Sequence, residues 1–426
     1  MVENKDMEEL KEVWRKVKLL DYYEVTNGLS KNKSEFGFGY PFLTFKEVFN
    51  NYFLPENLVN LANSTAKERE KCSIKRGDIF ITRTSETMEE LGITAVALKD
   101  YPNATFNGFT KRLRPKSHAE ISPEFISFYL KSKEFRNQIQ SFSSLTTRAS
   151  LNNEMLEKLE LIIPDIQKQK EIAKILKNLY DKIRINNEMN KTLEEMAQTL
   201  FKRWFIDFDF PNENGEPYRS SGGKMVDSEL GEIPKGWVVT KIENVVNIKR
   251  GASPRPIQDF ISDNGIPWIK ISDATSSISK FLNKTNEFII EKGKEKSRFI
   301  ERGTLILSNS ATPGIPMIVN LDACIHDGWL IFNEYKNITK EFLYYMLKYH
   351  KENILALSNG SVFRNLKTDI LKNYKIILPN LDLIILFNRN LETIDKHIRN
   401  NVEEIQSLTE MRDILLPKLM SGEVEV

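Results

Sequence analysis

The sequence has few cysteines and histidines, and it contains no long apolar run. Its two cysteines, Cys72 and Cys324, fit no CxxC spacing, and its 4 histidines are scattered. We therefore expect ordinary buried thiols in a reduced, cytoplasmic protein that holds no metal. No apolar run reaches the roughly 18 residues of a transmembrane helix, and the charged N-terminus lacks the apolar core of a signal peptide.

Recognisable signatures of catalysis are also missing. No GxxxxGK[ST] phosphate loop occurs, because SGGK at 221–224 lacks the first glycine and the final hydroxyl residue. FGFG at 36–39 is interpreted as a plain turn rather than a cofactor loop, and no [DN]PP[YF] quartet of an amino-methyltransferase is present. His326 and Asp327 are adjacent but have no recognisable nucleophile, and Asp165 is interpreted as a helix cap. We expect a chain without its own active site.

Charge of either sign is not in large excess. Lys and Arg number 61, Asp and Glu number 59, and the net charge is +2. A whole-chain electrostatic attraction to nucleic acid is therefore excluded, and any such surface must be a local patch. The 426 residues, 40% of them hydrophobic and 28% charged, suffice for two or three globular domains.

Two long stretches repeat apolar residues at alternating steps of four and three, which is typical of a coiled-coil seam. The first seam consists of Ile172, Leu176, Leu179, Ile183, Asn186, Asn190, Leu193, Ala197, Leu200 and Trp204. The second consists of Phe387, Leu391, Ile394, Ile398, Asn401, Ile405, Leu408, Arg412, Leu415 and Leu419. Asn186 and Asn401 are corresponding polar positions, and we expect them to fix the register of the paired helices.

Four further matches precede the seams in the same order. They pair 40–45 with 266–272, 75–84 with 301–310, 121–133 with 338–350, and 145–164 with 360–379. The offset drifts between matches, which indicates one duplicated unit with loop insertions rather than a solenoid. Each copy includes a GD or GT turn followed by a buried strand, IFIT or LILS.

The pattern predicts an α+β fold. It consists of two tandem mixed α/β domains, each followed by a long helix, with the helices paired as an antiparallel coiled coil of pseudo-twofold symmetry. We place the first domain at 1–164, its helix at 165–206, a linker at 207–235, the second domain at 236–379 and its helix at 380–421. The alternative is that each helix packs only on its own domain. We also expect helices over 7–20 and from Ser122 to about Ile139.

Hydroxyl and amide side chains follow the buried strand in each copy. The first copy has Arg83, Thr84 and Ser85 there, and the second has Ser308, Asn309 and Ser310. Short donors and acceptors on a loop held by a rigid sheet suit the recognition of base edges, although two solvated turns are the alternative. The different residues on matching strands predict readers of two different half-sites.

Basic residues form local clusters in both copies, as phosphate contacts require. The candidates are Lys31, Lys33, Lys111, Arg112 and Arg114, then Lys249, Arg250 and Arg255, and the loop residues Arg148 and Arg364. For each residue the alternative is a solvated charge.

Three segments of the chain are the most specific for a family: IIPDIQKQKEIAKILKNLYDKIRINNEMNKTLEEMAQTLFKRWF, SELGEIPKGWVVTKIENV and LTEMRDILLPKLMSGEV. With them the sequence resembles the specificity subunits of type I restriction–modification enzymes over nearly its whole length. The second long helix departs from this pattern, since it begins PNLDLI where the first begins PDIQKQ. Only a detail of the helix start is affected.

The resemblance implies a non-catalytic, DNA-binding chain. Each domain would read one half of a split site in double-stranded DNA through the major groove, and the helices would set the distance between the halves. Two modification subunits carrying S-adenosylmethionine would dock on the helices and methylate adenine at N6. Restriction subunits using ATP with magnesium can join such a complex. Helices of about 50–60 Å would span one to one and a half turns of DNA, giving a spacer of about 5–8 base pairs.

Two other classes of function remain open from the residues themselves. A self-contained nuclease or methyltransferase would bind its cofactor alone. A scaffold or orphan DNA-binding protein would have no modification partner, and a pure scaffold would show no sequence preference on DNA.

Overall fold

A short buried strand lies at the centre of the main sheet in each half of the molecule. The computed structural model describes residues 14–85, 90–141, 149–277, 279–357 and 365–426. The chain divides into a first unit, 1–183 with 406–426, and a second unit, 184–405. The central strands are Ile79–Thr82 and Leu305–Ser308, and every residue in both is buried.

The first unit contains two main sheets. One has four strands and the other three, and two strand pairs complete the unit. Its strands are Arg15–Lys18, Tyr23–Asn27, Phe36–Leu43, Leu61–Ala62, Ile79–Thr82, Thr84–Ser85, Thr94–Val96, Thr105–Phe106, Thr110–Pro115, Ala149–Ser150 and Glu160–Ile163. Its helices are Leu19–Tyr22, Phe45–Asn50, Ala66–Lys71, Pro123–Tyr129, Lys133–Ser141 and Asn153–Lys158, with a 3₁₀ turn at Lys33–Glu35.

The second unit contains two five-stranded sheets and two strand pairs. Its strands are Met225–Ser228, Gly231–Pro234, Val238–Lys241, Asn247–Arg250, Ile261–Ser262, Ile266–Ile269, Phe281–Leu282, Glu287–Ile289, Arg298–Ile300, Leu305–Ser308, Pro316–Val319, Ala323–Ile325, Trp329–Asn333 and Lys375–Leu378. Its helices are Ile242–Val245, Ile271–Thr275, Glu291–Lys294, Lys340–Tyr349, Lys351–Ala356 and Thr368–Asn373, with a 3₁₀ turn at Ile257–Asp259.

The duplication seen in the sequence is present in the strand register. In the first unit Leu43 lies parallel to Phe106, and Ile79 lies opposite Leu113. In the second unit the corresponding pairs are Ile269 with Ile325 and Leu305 with Phe332. The two units are therefore copies of one mixed α/β fold, as predicted.

Two long helices follow the strands. The first long helix is Ile166–Phe205 and the second is Leu381–Ser421. Asp165 caps the first, since its side chain accepts hydrogen bonds from the backbone N–H groups of Gln167 at 2.8 Å and Lys168 at 3.0 Å. Burial follows the predicted seams, because every seam residue is buried or half-buried.

Within each unit, the two helices contact each other. In the first unit Ile172 and Leu176 share a core with Leu416 and Met420. In the second unit Asn186 donates to Glu404 at 2.8 Å, and Asn401 donates to Asn190 at 2.9 Å. In these two bonds the residue number falls on the second helix as it rises on the first, so the helices run antiparallel in the second unit. The two predicted register residues, Asn186 and Asn401, hydrogen-bond different partners.

Two local predictions differ from the structure, and a third segment, the predicted linker, contains a strand pair. The helix predicted over 7–20 lies partly outside the described residues. Its end forms strand Arg15–Lys18, because pairing with Glu160–Ile163 overrides the local pattern. The helix predicted from Ser122 breaks after Tyr129, and a new helix begins at Lys133. The predicted linker contains an antiparallel pair, Met225–Ser228 with Gly231–Pro234.

Candidate nucleic-acid interface

The loop after the central strand of the first unit is tied to its surroundings through main-chain groups. Thr82 ends the strand, and its hydroxyl accepts a hydrogen bond from the backbone N–H of Ile93 at 2.9 Å. The next residue, Arg83, donates its N–H to the carbonyl of Phe109 at 3.0 Å and accepts at its own carbonyl from Leu151 at 2.8 Å. These bonds fix the main chain of Arg83, while its side chain is half-exposed.

The second unit repeats this network at the corresponding residues. Ser308 ends the strand, and its hydroxyl accepts from the N–H of Ile315 at 2.8 Å. Asn309 donates its N–H to the carbonyl of Gly328 at 2.8 Å and accepts from Leu366 at 2.8 Å. Arg83 and Asn309 therefore occupy the same position in two copies of one scaffold. Ser308, a base-contact candidate from the sequence, instead has a fully buried side chain that closes its own loop.

A glycine allows the neighbouring strand to approach this position closely in both units. A Cβ on Gly28 would lie 2.0 Å from the carbonyl oxygen of Asn107, and a Cβ on Gly251 would lie 2.1 Å from that of His326. No side chain fits at such distances. The close approach thus joins the segment at 28 to the segment 107–109, which bonds Arg83, and the segment at 251 to the segment 326–328, which bonds Asn309.

Asn309 differs from Arg83 in its surroundings. It is 4% exposed, and its Oδ1 is buried without a hydrogen-bond partner among the described residues. An unpaired buried amide oxygen costs about 1–3 kcal/mol. Ser310 next to it is half-exposed, as is Thr84 next to Arg83. Each loop thus places one half-exposed hydroxyl residue directly after its fixed position.

Several basic candidates of the first unit have partners inside the protein. Lys31 forms ion pairs with Glu35 at 3.3 Å and Glu68 at 2.8 Å, and hydrogen bonding to Glu68 raises its pKa. Lys111 is 6% exposed and donates to Asn153. Burial, and then the charge of Arg83, lowers the pKa of Lys111. Its ammonium group is therefore poorly placed to meet phosphate.

Arg112 is likewise an internal group. It is 6% exposed, and its guanidinium donates to the carbonyl of Ser73 at 2.6 Å and to the hydroxyl of Thr26 at 3.0 Å. Arg114 forms a bidentate pair with buried Asp78, at 2.7 and 2.6 Å. These two arginines hold the sheet together. Lys33, in contrast, is exposed.

The basic candidates of the second unit lie at its surface. Lys249 is exposed, and its Nζ lies 3.9 Å from Glu334. Arg250 donates Nε–H to the carbonyl of Asp327 at 2.7 Å, and the Arg255 side chain, 80% exposed, lies 3.4 Å from the Asp327 carboxylate. These contacts leave much of each cation open to solvent.

His326 and Asp327 serve the same region structurally. The Nδ1 of His326 accepts from the N–H of Gly328 at 2.7 Å, and burial lowers the pKa of His326. The Asp327 carboxylate accepts from the hydroxyl of Ser253 at 2.8 Å. An open groove of about 1060 Å³ adjoins them, with Trp268 and Arg255 among its lining residues. The hydroxyl beside this pair, that of Ser253, is bonded to Asp327 and accepts from the Asp327 N–H at 3.3 Å.

Two candidates and one side chain lie outside the described part. Arg148 and Arg364 fall in the loops 142–148 and 358–364, which the structure does not describe, and only the main chain of Ser85 is described. That main chain forms a short antiparallel pair with Ala149. The predicted correspondence of the two arginines therefore stays a prediction.

The structure adds exposed aromatic residues that the sequence analysis missed. FGFG at 36–39 is not a turn but the start of strand Phe36–Leu43. Phe36 and Phe38 are 42% and 52% exposed, and Phe109, whose carbonyl binds Arg83, is 64% exposed. Aromatic faces at a surface can stack on bases. The signal was the alternation of aromatics with glycines, and Gly37 and Gly39 have φ of +95° and +97°.

The described residues include no cluster of His, Cys, Asp or Glu able to hold a metal ion. In the same residues, no helix is both long and apolar enough to cross a membrane.

Comparisons with known proteins agree with the duplicated architecture. The family described as "Type I restriction modification DNA specificity domain" matches residues 11–195 and 234–409. The type I restriction enzyme MjaIX specificity subunit of Methanocaldococcus jannaschii is 26% identical, covering 99% of this chain and 96% of its own. The HindI specificity subunit of Haemophilus influenzae is 26% identical, covering 95% and 100%. The crystal structure of a type I S subunit from M. genitalium has a TM-score of 0.55 at 14% identity, covering 95% and 96%.

Proposed function

Because the chain belongs to the type I restriction–modification DNA specificity family, as a non-catalytic specificity subunit with two recognition domains, we propose that it reads a bipartite DNA target. Each domain reads one half-site. The two long helices hold the domains apart and so determine the non-specific spacer between the halves.

One observation carries this proposal. Arg83 and Asn309 sit at the same position of two copies of one main-chain network, yet their side chains have different chemistry. The half-exposed side chain of Arg83 suits the acceptors of guanine, whereas Asn309 is 4% exposed and leaves half-exposed Ser310 as the side chain that can reach a base. A duplicated scaffold that varies at this position is what two readers of unlike half-sites require.

The other surface residues fit supporting roles. Thr84 and Ser310 supply half-exposed hydroxyl groups directly after Arg83 and Asn309. Lys33, Lys249, Arg250 and Arg255 are exposed cations for phosphate contacts. Lys31, Lys111 and Arg112 are left out of the proposed contacts, because they already bind internal partners.

The length of the helices supports a spacer role. They contain 40 and 41 residues, so each spans about 60 Å at 1.5 Å per residue. That length covers more than one turn of DNA, about 34–36 Å. We infer a spacer of about 5–8 base pairs from the same turn length.

The outward faces of the helices suit protein partners. Ile185, Met189 and Met196 on the first long helix are 43%, 45% and 55% exposed, and Met411 and Ile414 on the second are 49% and 60% exposed. Ile185, Met189 and Met196 recur at steps of four and seven along one helix face, and a contiguous exposed apolar patch is the kind of surface that binds protein partners. We propose that two modification subunits carrying S-adenosylmethionine dock there and methylate adenine at N6, and that restriction subunits using ATP and magnesium join them.

The test is to co-express the chain with a type I modification subunit and map methylated adenines across a genome. The proposal expects one gapped motif with two different halves. Methylation without a motif would contradict sequence reading, and no methylation with any such partner would favour the alternative of an orphan DNA-binding or scaffold protein.

Two matched variants separate the halves. Arg83→Ala should relax the motif in one half only, and Ser310→Ala in the other half only, because each residue belongs to one domain. A bidentate contact contributes about 1–3 kcal/mol of discrimination. If either variant relaxes both halves equally, the assignment of these positions is wrong.

A further inference from the structure

Lys280 is a charged residue in the interior of the second unit. Its side chain is 0% exposed and forms an ion pair with Asp395. Its Nζ also lies 3.0 Å from the hydroxyl of Tyr345 and 4.9 Å from the centre of the same ring. A buried ammonium is stable only with a counterion and hydrogen-bond partners. Lys280 is therefore bound to one partner on the second long helix.

A second carboxylate comes from the first long helix. Glu194 accepts hydrogen bonds from the hydroxyl of Tyr344 at 2.9 Å, the hydroxyl of Tyr345 at 3.2 Å and the ammonium of Lys348 at 2.7 Å. Burial, and then the charge of Glu194, raises the pKa of Tyr344 and Tyr345, so both remain neutral donors. Each helix thus supplies one carboxylate to the same side of the recognition domain.

The first unit has different chemistry at the corresponding residues. In the first unit the carbonyl of Tyr52 accepts a hydrogen bond from the N–H of Val96 at 3.0 Å. In the second unit the carbonyl of Lys280 accepts the corresponding bond from the N–H of Ile318 at 2.9 Å. Tyr52 therefore occupies the place of Lys280. Tyr180 corresponds to Asp395 in the repeated seams, and its ring lies 5.5 Å from that of Tyr52. A charged pair in one unit is an aromatic pair in the other.

The geometry points to Lys280, Glu194 and Asp395 as positioning residues. We propose that they form a charged joint that fixes the orientation of the second recognition domain on the helices, and that this joint excludes the aromatic partners used in the first unit. The inference rests on the proposed function, in which a fixed orientation of the second recognition domain restricts the length of the DNA spacer between the half-sites. A buried lysine facing a tyrosine would have no counterion, and a buried aspartate facing one would lack its cation.

The experiment exchanges the two chemistries in the full chain. Lys280→Tyr and Asp395→Tyr are made singly and together, so that the double variant copies the Tyr52–Tyr180 pair. The first measurement is the unfolding equilibrium in urea. Each single variant should lower the ratio of folded to unfolded protein by at least about tenfold. The double variant should recover most of that loss, because the effects of neighbouring residues in contact are coupled. If the stability loss of the double variant equals the sum of the losses of the two single variants, the proposal of a joint is wrong.

The second measurement uses the complex with modification subunits. The ratio of methylation rates on DNA with the correct spacer and with one base pair more should fall about tenfold in each single variant, while both half-site sequences stay required. An unchanged ratio would overturn the positioning role. If the wild-type complex shows no gapped motif, the proposed function fails, and the urea measurement still decides whether the joint exists.

Lys375→Tyr is the matched control. Lys375 lies in the same domain and pairs with Glu229, but both side chains are about half exposed and neither belongs to the joint. This variant should change neither measurement. If Lys375→Tyr changes both measurements as much as Lys280→Tyr does, the effect belongs to any lysine-to-tyrosine change in the domain, and the proposal is wrong.

Discussion

Replacing a buried amide pair by leucines should stabilise the helix pair and weaken its choice of register. Asn190 and Asn401 are 2% and 9% exposed and share one hydrogen bond of 2.9 Å. The Nδ2 of Asn190 is buried without a partner among the described residues. The perturbation is the double variant Asn190→Leu with Asn401→Leu, compared with Asn401→Leu alone.

The magnitude follows from the contacts. The double variant loses one hydrogen bond, about 0.5–1.5 kcal/mol, and removes the unpaired buried amide N–H group of Asn190, which costs about 1–3 kcal/mol. Each buried leucine adds about 1.5–3 kcal/mol, and overpacking removes about 1–3 kcal/mol. A net gain of about 2–4 kcal/mol is expected. Asn401→Leu alone leaves both polar atoms of Asn190 unpaired, so its net change should stay within about 1 kcal/mol.

The assay combines urea unfolding with spacer selection in the complex with modification subunits. With Asn186 as the only one of the three seam asparagines left, the helices can more readily pair one heptad out of register, a shift of about 10 Å at 1.5 Å per residue. At 3.4 Å per base pair this shift equals about three base pairs, so sites with such altered spacers should become methylated. Asn400→Leu, at an exposed position, is the control. A double variant less stable than the single variant would refute the reasoning.

Three further outcomes are expected. Deleting seven residues from one long helix should shorten the paired helices and change the preferred spacer; an unchanged spacer in a folded variant would contradict the ruler. Burial, and then Arg412 and Arg136, lowers the pKa of Lys131 to about 7. In the unfolded chain the pKa of Lys131 is higher, so between about pH 7 and 10 the unfolded chain binds a proton that the folded chain does not. Stability against urea should therefore rise over this range, and Lys131→Met should flatten the rise. Arg112→Leu should destabilise the chain by about 2–5 kcal/mol in thermal unfolding, while the motif stays unchanged; a changed motif would place Arg112 at the DNA.

The duplicated fold was accessible from the sequence because buried strands and helix seams leave a periodic pattern. Matches such as 75–84 with 301–310 identified the central strands correctly, and the caps at Asp165 and Ser122 were visible as local signals. These features depend on neighbouring residues or on the repetition of a pattern along the chain. The position shared by Arg83 and Asn309 followed from the same alignment of copies.

Long-range partners could not be predicted. Arg112 looked like a phosphate contact because its cluster is basic, yet its guanidinium binds carbonyls of Lys71 and Ser73. Nothing near Lys280 in the sequence indicates that Asp395 is its counterion. The strand Arg15–Lys18 was missed because its partner, Glu160–Ile163, lies far away along the chain. In each case a contact between distant segments decides the role of the residue.

The first unit is discontinuous in sequence, since it needs both 1–183 and 406–426. During synthesis at about 5–20 residues per second, roughly 11–45 s separate the emergence of these two pieces. Throughout that interval Ile172 and Leu176 lack Leu416 and Met420, with which they share a core. The nascent chain therefore exposes the apolar side chains of Ile172 and Leu176 until the last residues of the second long helix have been translated.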